Sequence, residues 1–205
     1  MDAVPLAIAI LSSLLTFSQA TPKSDQKPTD QACATSPDDA EIYSEVIRAT
    51  ILDQDDGKER VVLMDQTSIA SPDMDLWTGI SGRKLNGMLQ SWDAEAKTDF
   101  DANAKQHCAL PASIEPRDRV VFVTPEQEDA LFPNRPRDWQ AFYKEYPHAS
   151  GLTALSAIGF NKARDKALVY IANSCDNLCG GGYFVLLVKK EGKWEVIKAS
   201  VTWET

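Results

Sequence analysis

The stretch KALVYIANSCDNLCGGGYFVLLVKKEGKWEVIKASVTW, residues 166–203, decides the fold. Two runs within it, Ala167–Ala172 and Tyr183–Val188, are apolar at successive positions. A strand turns alternate side chains to opposite faces, so such runs predict strands covered on both sides. Leu152–Phe160 precedes them, and the predicted strands are Leu152–Phe160, Lys166–Asn173, Tyr183–Lys190 and Lys193–Trp203. Their links are NKARD, a Cys-Gly segment and EGK. Short links place sequential strands side by side and antiparallel. The expectation is an α+β fold: a C-terminal four-stranded antiparallel meander packed against N-terminal helices.

Working outward, the upstream chain supplies those helices. Ser36 can cap a helix, Pro37 suits its first position, and Asp38 and Asp39 favour the positive end of its dipole. Tyr43, Val46, Ile47 and Ile51 then form one stripe, which ends near the turn Asp55-Asp56-Gly57. Arg60–Ile69 and Arg119–Thr124 read as strands. A second helix is predicted over Arg83–Lys105, weakened at Gly87, because Leu85, Met88, Leu89, Trp92, Ala96 and Phe100 recur at three- and four-residue steps. Pro125 opens a brief helical turn. Asp138 can cap a short helix, Trp139–Tyr146, that Pro147 ends.

The chain begins with an uncharged apolar run, Val4–Phe17, followed by Ser18-Gln19-Ala20. A membrane-crossing helix needs roughly 20 apolar residues. This run is shorter and has the length of a signal-peptide hydrophobic region, with small residues placed for cleavage after Ala20. The start, Met1-Asp2-Ala3, lacks the usual Lys or Arg. The division expected is a signal peptide over 1–20, a flexible leader rich in Pro, Ser, Asp, Lys and Gln over 21–35, and one α+β domain over 36–205. The address expected is secreted or periplasmic, with no membrane span in the mature chain.

Four cysteines follow the cleavage point: Cys33, Cys108, Cys175 and Cys179. An even count in an exported chain predicts disulfides, and four cysteines allow three connectivities. Cys175–Cys179 with Cys33–Cys108 is favoured, since the first pair would close a short loop between strands. The net charge of −9, with no basic cluster, excludes a nucleic-acid partner on electrostatic grounds.

No motif carries a catalytic assignment. Only His107 and His148 are present, and the Cys/His spacing of a zinc site is missing. His148 with Ser150 or Ser156 could form a nucleophile–base pair, but no G-x-S-x-G elbow surrounds Ser156. Ser81-Gly-Arg-Lys84 matches S-x-x-K without its companion motifs, and Ser24–Lys27 matches equally well. Asp53, Asp55, Asp56 and Gly57 lack the calcium-loop spacing. Cys175 and Cys179 are one residue too far apart for thioredoxin-like redox chemistry. No cofactor or metal is expected.

The most unusual segment is Asn173–Tyr183. Asp176, Asn177, Gly180, Gly181 and Gly182 could form a stapled loop that offers backbone N–H groups to a ligand. The plainer reading gives the glycines a conformational role in a tight connection. The expected function is a non-enzymatic binding or envelope-associated domain. Its partner would be a protein, an envelope component or a small ligand. The alternative is a secreted hydrolase with its site near His148 and the Cys175–Gly182 loop.

From Trp139 to Trp194 the chain resembles a group of uncharacterised exported bacterial proteins of unknown function. The residues that carry this are Trp139–Tyr143, Tyr146-Pro147, Gly151, Leu155–Asn161, Ala167–Tyr170, Cys175–Tyr183, Val185–Leu187 and Gly192–Trp194. The resemblance implies export and an α+β domain, and it brings no activity or catalytic residue.

Overall fold

The computed structural model describes residue 33 and residues 36–54, 60–68, 82–134 and 136–205. All of these residues belong to one compact unit. The expected signal peptide, and the expected leader apart from Cys33, lie outside the described residues. So do the turn at Asp55–Gly57 and Ser81 of the S-x-x-K match. Among the described residues no helix is long and apolar enough to cross a membrane.

The fold is α+β, built on one mixed sheet. Its strands are β1 (Arg60–Met64), β2 (Val120–Val123), β3 (Ala149–Leu155), β4 (Gly159–Phe160), β5 (Lys166–Asp176), β6 (Cys179–Lys190) and β7 (Lys193–Glu204). The order is β2-β1-β3-β5-β6-β7, with β4 paired to β5. β5, β6 and β7 run antiparallel to their neighbours, β3 is antiparallel to β5 alone, and β1 is parallel to both β2 and β3. The expected four-stranded antiparallel meander is therefore not the sheet that forms. The edge of β3 that a meander would leave open is occupied by β1, which is buried on both faces from Val61 to Met64, as parallel strands require.

The predicted strand Leu152–Phe160 is also interrupted. The Ser156 hydroxyl accepts the Tyr170 N–H at 2.9 Å and donates to the Ala157 carbonyl at 2.8 Å. A side chain thus replaces one rung of the ladder, and the chain leaves β3 before returning as β4.

Both faces of the sheet are covered. Val61, Leu63, Val169, Ile171, Val185 and Leu187 point to one face and pack against Ile42, Val46 and Ile47 of α1 (Asp39–Thr50). Each of those three helical side chains is fully buried and contributes about 1.5–3 kcal/mol by leaving water. On the opposite face, α2 (Gly82–Trp92) and α3 (Ala94–Asn103) place Leu89, Ala96 and Phe100 over Leu168, Tyr170 and Phe184. Towards the parallel strands, α4 (Pro125–Leu131) and α5 (Trp139–Glu145) flank a third cluster of Val62, Val123, Phe132, Trp139 and Phe142.

Helix boundaries correct the sequence reading in two places. The single helix over Arg83–Lys105 is two, because Asp93 adopts an extended backbone and its carboxylate accepts the N–H groups of Glu95 and Ala96. That carboxylate also holds Lys166 Nζ at 2.9 Å, which ties the break to β5. α1 begins at Asp39 rather than Pro37. The Ser36 hydroxyl accepts the Asp38 N–H, and the Asp39 carboxylate accepts the Ser36 N–H in return. α3 docks closely on β4: a Cβ on Gly159 would lie 2.5 Å from Phe100 N, and the Phe160 N–H donates to Asp99.

Candidate functional site

The segment singled out in the sequence is a β-hairpin. β5 continues to Asp176 and β6 starts at Cys179, so only Asn177 and Leu178 form the turn. The strands are longer than predicted, and the glycines lie within β6. Gly180 pairs with Ser174, Gly181 with Asn173 and Gly182 with Ala172. On the other side Gly181 and Gly182 face Glu204 and Trp203 of β7. In this geometry the glycine backbone belongs to the sheet ladder, whereas an anion cradle needs successive N–H groups turned into one concavity.

Packing explains why these positions carry no side chain. A Cβ on Gly182 would lie 2.2 Å from Trp203 Nε1 and 2.4 Å from the Tyr170 hydroxyl. Those two atoms are hydrogen-bonded to each other at 2.8 Å, the indole N–H donating. A Cβ on Gly180 would lie 2.6 Å from the Asn173 carbonyl and 3.1 Å from the Trp203 ring. The Thr202 hydroxyl donates to the Gly182 carbonyl at 3.0 Å from a buried position.

The hairpin tip is braced. Cys175 sits at a bulge and is bonded to Cys179. The Tyr143 hydroxyl of α5 donates to the Cys175 carbonyl at 2.7 Å. Asp176 accepts the Asn177 N–H at 2.7 Å, and the Asn177 amide reaches the Arg137 carbonyl at 3.4 Å. Leu178, at the apex, keeps 83% of its surface exposed. It is flanked by exposed Asp176 and Asn177.

Beside the tip half of the hairpin lies a groove of about 360 Å³ lined by Ile51, Ser150, Asn173, the Cys175–Cys179 bond and Tyr183. The Asn173 amide is already engaged: it donates to the Ser150 carbonyl and accepts from the Thr153 hydroxyl. Burial, with the nearby Glu204 charge, raises the Tyr183 phenol above its ordinary range. Tyr183 therefore offers a neutral hydroxyl to the groove at neutral pH.

The remaining candidate residues are dispersed. Cys33 is bonded to Cys108, which holds the segment before Leu110 beside the end of β1. His148 is exposed in a turn with φ of 66°, and no hydrogen bond joins its ring to Ser150 or Ser156 among the described residues. Ser150 donates to the Arg60 carbonyl, and Ser156 is fully buried within the sheet. The pairing of His148 with Ser150 or Ser156 considered in the sequence is thus not formed among the described residues. His107 Nδ1 lies 3.1 Å from the Thr67 carbonyl. Asp53 is paired with Arg48. No group of three metal-ligating side chains occurs among the described residues.

Two features of the site escaped the sequence reading. The brace from Tyr143 spans α5 to β5 and has no local signature. Leu178 stood out only as one apolar letter among turn residues. No protein-family model, curated protein or solved structure matches this chain.

Proposed function

We propose that this chain is an exported, non-enzymatic binding domain whose stapled hairpin inserts its tip into a pocket on a partner protein. The observation that carries the reading is Leu178, 83% exposed at the apex of a turn that a disulfide and the Tyr143 hydroxyl hold in place. A single exposed leucine is ordinary on a protein surface. A leucine on a preorganised tip differs, because binding then costs little ordering entropy. Apolar anchors that fill a pocket supply most of the energy in protein interfaces. Asp176 beside the tip and the chain's net charge of −9 favour a partner pocket with a basic rim.

Export is part of the same proposal. Its support is the apolar run Val4–Phe17, the small residues before Thr21, and two disulfides that need an oxidising compartment. The resemblance over Trp139–Trp194 to exported bacterial proteins includes the whole hairpin. Mass measurement of exported material should give a chain starting at Thr21; one that retains Met1 contradicts a cleaved signal.

The binding claim is tested by photo-crosslinking the full chain in the exported fraction of its source. A diazirine leucine at position 178 should give one dominant adduct. Unlabelled native chain should compete it away and the Leu178→Asp chain should not. The same probe at Ile197, also exposed, should give no such adduct. Equal labelling from both positions, or equal competition by both chains, overturns the tip as the binding element.

A further inference from the structure

A second cleft, of about 320 Å³, opens at the N-terminal end of α1, beside the α3–β4 junction. Arg164 stands on its rim. The Arg164 guanidinium lies 3.9 Å from the centroid of the Phe160 ring. Stacking uses the face of the guanidinium and leaves its in-plane N–H groups to take a carboxylate. Arg164 is exposed and makes no ion pair with a carboxylate among the described residues.

The backbone holds that side chain in place at a cost. Arg164 has φ of 53°, a region that an L residue with a long side chain rarely adopts. The turn beneath it is fixed by Asn161, whose amide oxygen accepts the N–H groups of Asp165 and Lys166 and whose amide nitrogen donates to the Asp165 carboxylate. Strain held in place by surrounding bonds is a pointer to function.

Acceptors for a cation line the same cleft. Asp39 is half-buried, and one of its oxygens takes the Ser36 N–H. The second has no hydrogen-bond donor among the described residues. Gln106 Oε1 lies 3.7 and 3.9 Å from the sulfurs of Cys33 and Cys108. Those sulfurs are oxidised and carry no hydrogen, so this oxygen also remains available. Asp99 lines the cleft as well; each of its oxygens already accepts one bond, from the Phe160 N–H and the Asn103 amide, and its charge adds to the attraction for a cation. Burial raises the Asp39 carboxyl, against the opposing pull of the Ser36 N–H and the Arg164 charge. Arg164 and Asp39 thus sense each other without closing into an ion pair. Ile158, Pro111 and the Tyr43 ring supply apolar wall.

We propose that this cleft binds a free α-amino acid with an apolar side chain, its carboxylate on Arg164 and its ammonium on Asp39 and Gln106. The volume lies in the range of small-ligand sites. A cation on the rim and carboxylates within the cleft match a zwitterion, and a ligand with only one charge leaves one sign unmet. The inference is independent of the hairpin's role.

Calorimetric titration of the full, oxidised chain with L-leucine, N-acetyl-L-leucine and L-leucinamide tests it. Leucine should bind, and each single-charge analogue should bind at least about ten-fold more weakly, as expected for a missing charge-assisted hydrogen bond. Arg164→Gln should bring leucine down to the leucinamide level and leave leucinamide unchanged. Asp39→Asn should do the same relative to N-acetyl-leucine. If either variant fails to fold, the analogue series on the native chain still decides. Equal affinity for all three compounds, or no leucine heat at about 1 mM, the weak end of specific binding, overturns the proposal.

Discussion

The two disulfides close spans of very different length, and they hold regions of opposite character. Cys33–Cys108 joins residues 75 apart, whereas Cys175–Cys179 joins residues 4 apart. The long staple fastens the chain before α1 to a segment that the Gln66–Ala109 bridge and the bonds of Thr67 to residues 106, 107 and 108 hold beside the end of β1. The short staple sits at the end of a ladder that already runs from Lys166 to Asp176. The first can act through the unfolded chain, because it removes a large loop-closure entropy. The second removes little of that and instead fixes the direction of Leu178. One bond serves the fold and the other serves the tip.

Removing each feature in turn separates these roles. Cys33→Ser with Cys108→Ser should cost the most, about 4 kcal/mol of unfolding free energy in urea, from the chain entropy of so long a loop. A loss below about 1 kcal/mol would show that the long staple is not what secures the N-terminal segment. Gly182→Ala should come next, at about 2–3 kcal/mol. The new methyl would drive Trp203 from Tyr170, and overpacking adds to the lost hydrogen bond. Thermal unfolding together with Trp fluorescence will read it; an unchanged melting temperature would mean the packing around Trp203 is loose.

Cys175→Ser with Cys179→Ser should cost at most about 2 kcal/mol, as a short loop allows. Asp93→Ala should cost about 1 kcal/mol through the lost α3 cap. Desolvation raises the Asp93 carboxyl, but the Ala96 N–H and Lys166 outweigh it and hold it below its ordinary value. A lowered carboxyl stabilises the fold above the unfolded value, and that contribution is lost as pH falls through the folded one. The Asp93→Asn chain should therefore show a shallower acid limb of stability than the native chain. Leu178→Ala should be the smallest effect on stability, within about 0.5 kcal/mol, while partner binding falls about ten-fold or more.

How much of this was written in the sequence differs between the same two regions. The strands β5 and β6 were legible because Ala167–Ala172 and Tyr183–Val188 are apolar at every position, which only a doubly covered strand tolerates. The glycines were not read as strand, since locally Gly-Gly-Gly signals a turn. Their reason lies with Trp203 and Tyr170, and tertiary packing overrides local preference. The helix break at Asp93 was hidden likewise. The apolar spacing from Met88 to Phe100 passes through it, and only the cap and Lys166 decide it. The parallel pairing of β1 could not be read at all, because register between distant strands leaves no local pattern. The polar cleft was missed because it joins Asp39, Gln106 and Arg164, which have no shared motif.

The most direct measurement is hydrogen exchange on the full chain carrying Cys175→Ser and Cys179→Ser. If the short staple serves the tip, faster exchange will be confined to residues 174–180. The amides of 166–171 and 183–190 will keep their native protection, because the ladder and both covering layers remain. Loss of protection along the whole of β5 and β6 would contradict the account and make this disulfide a support of the fold.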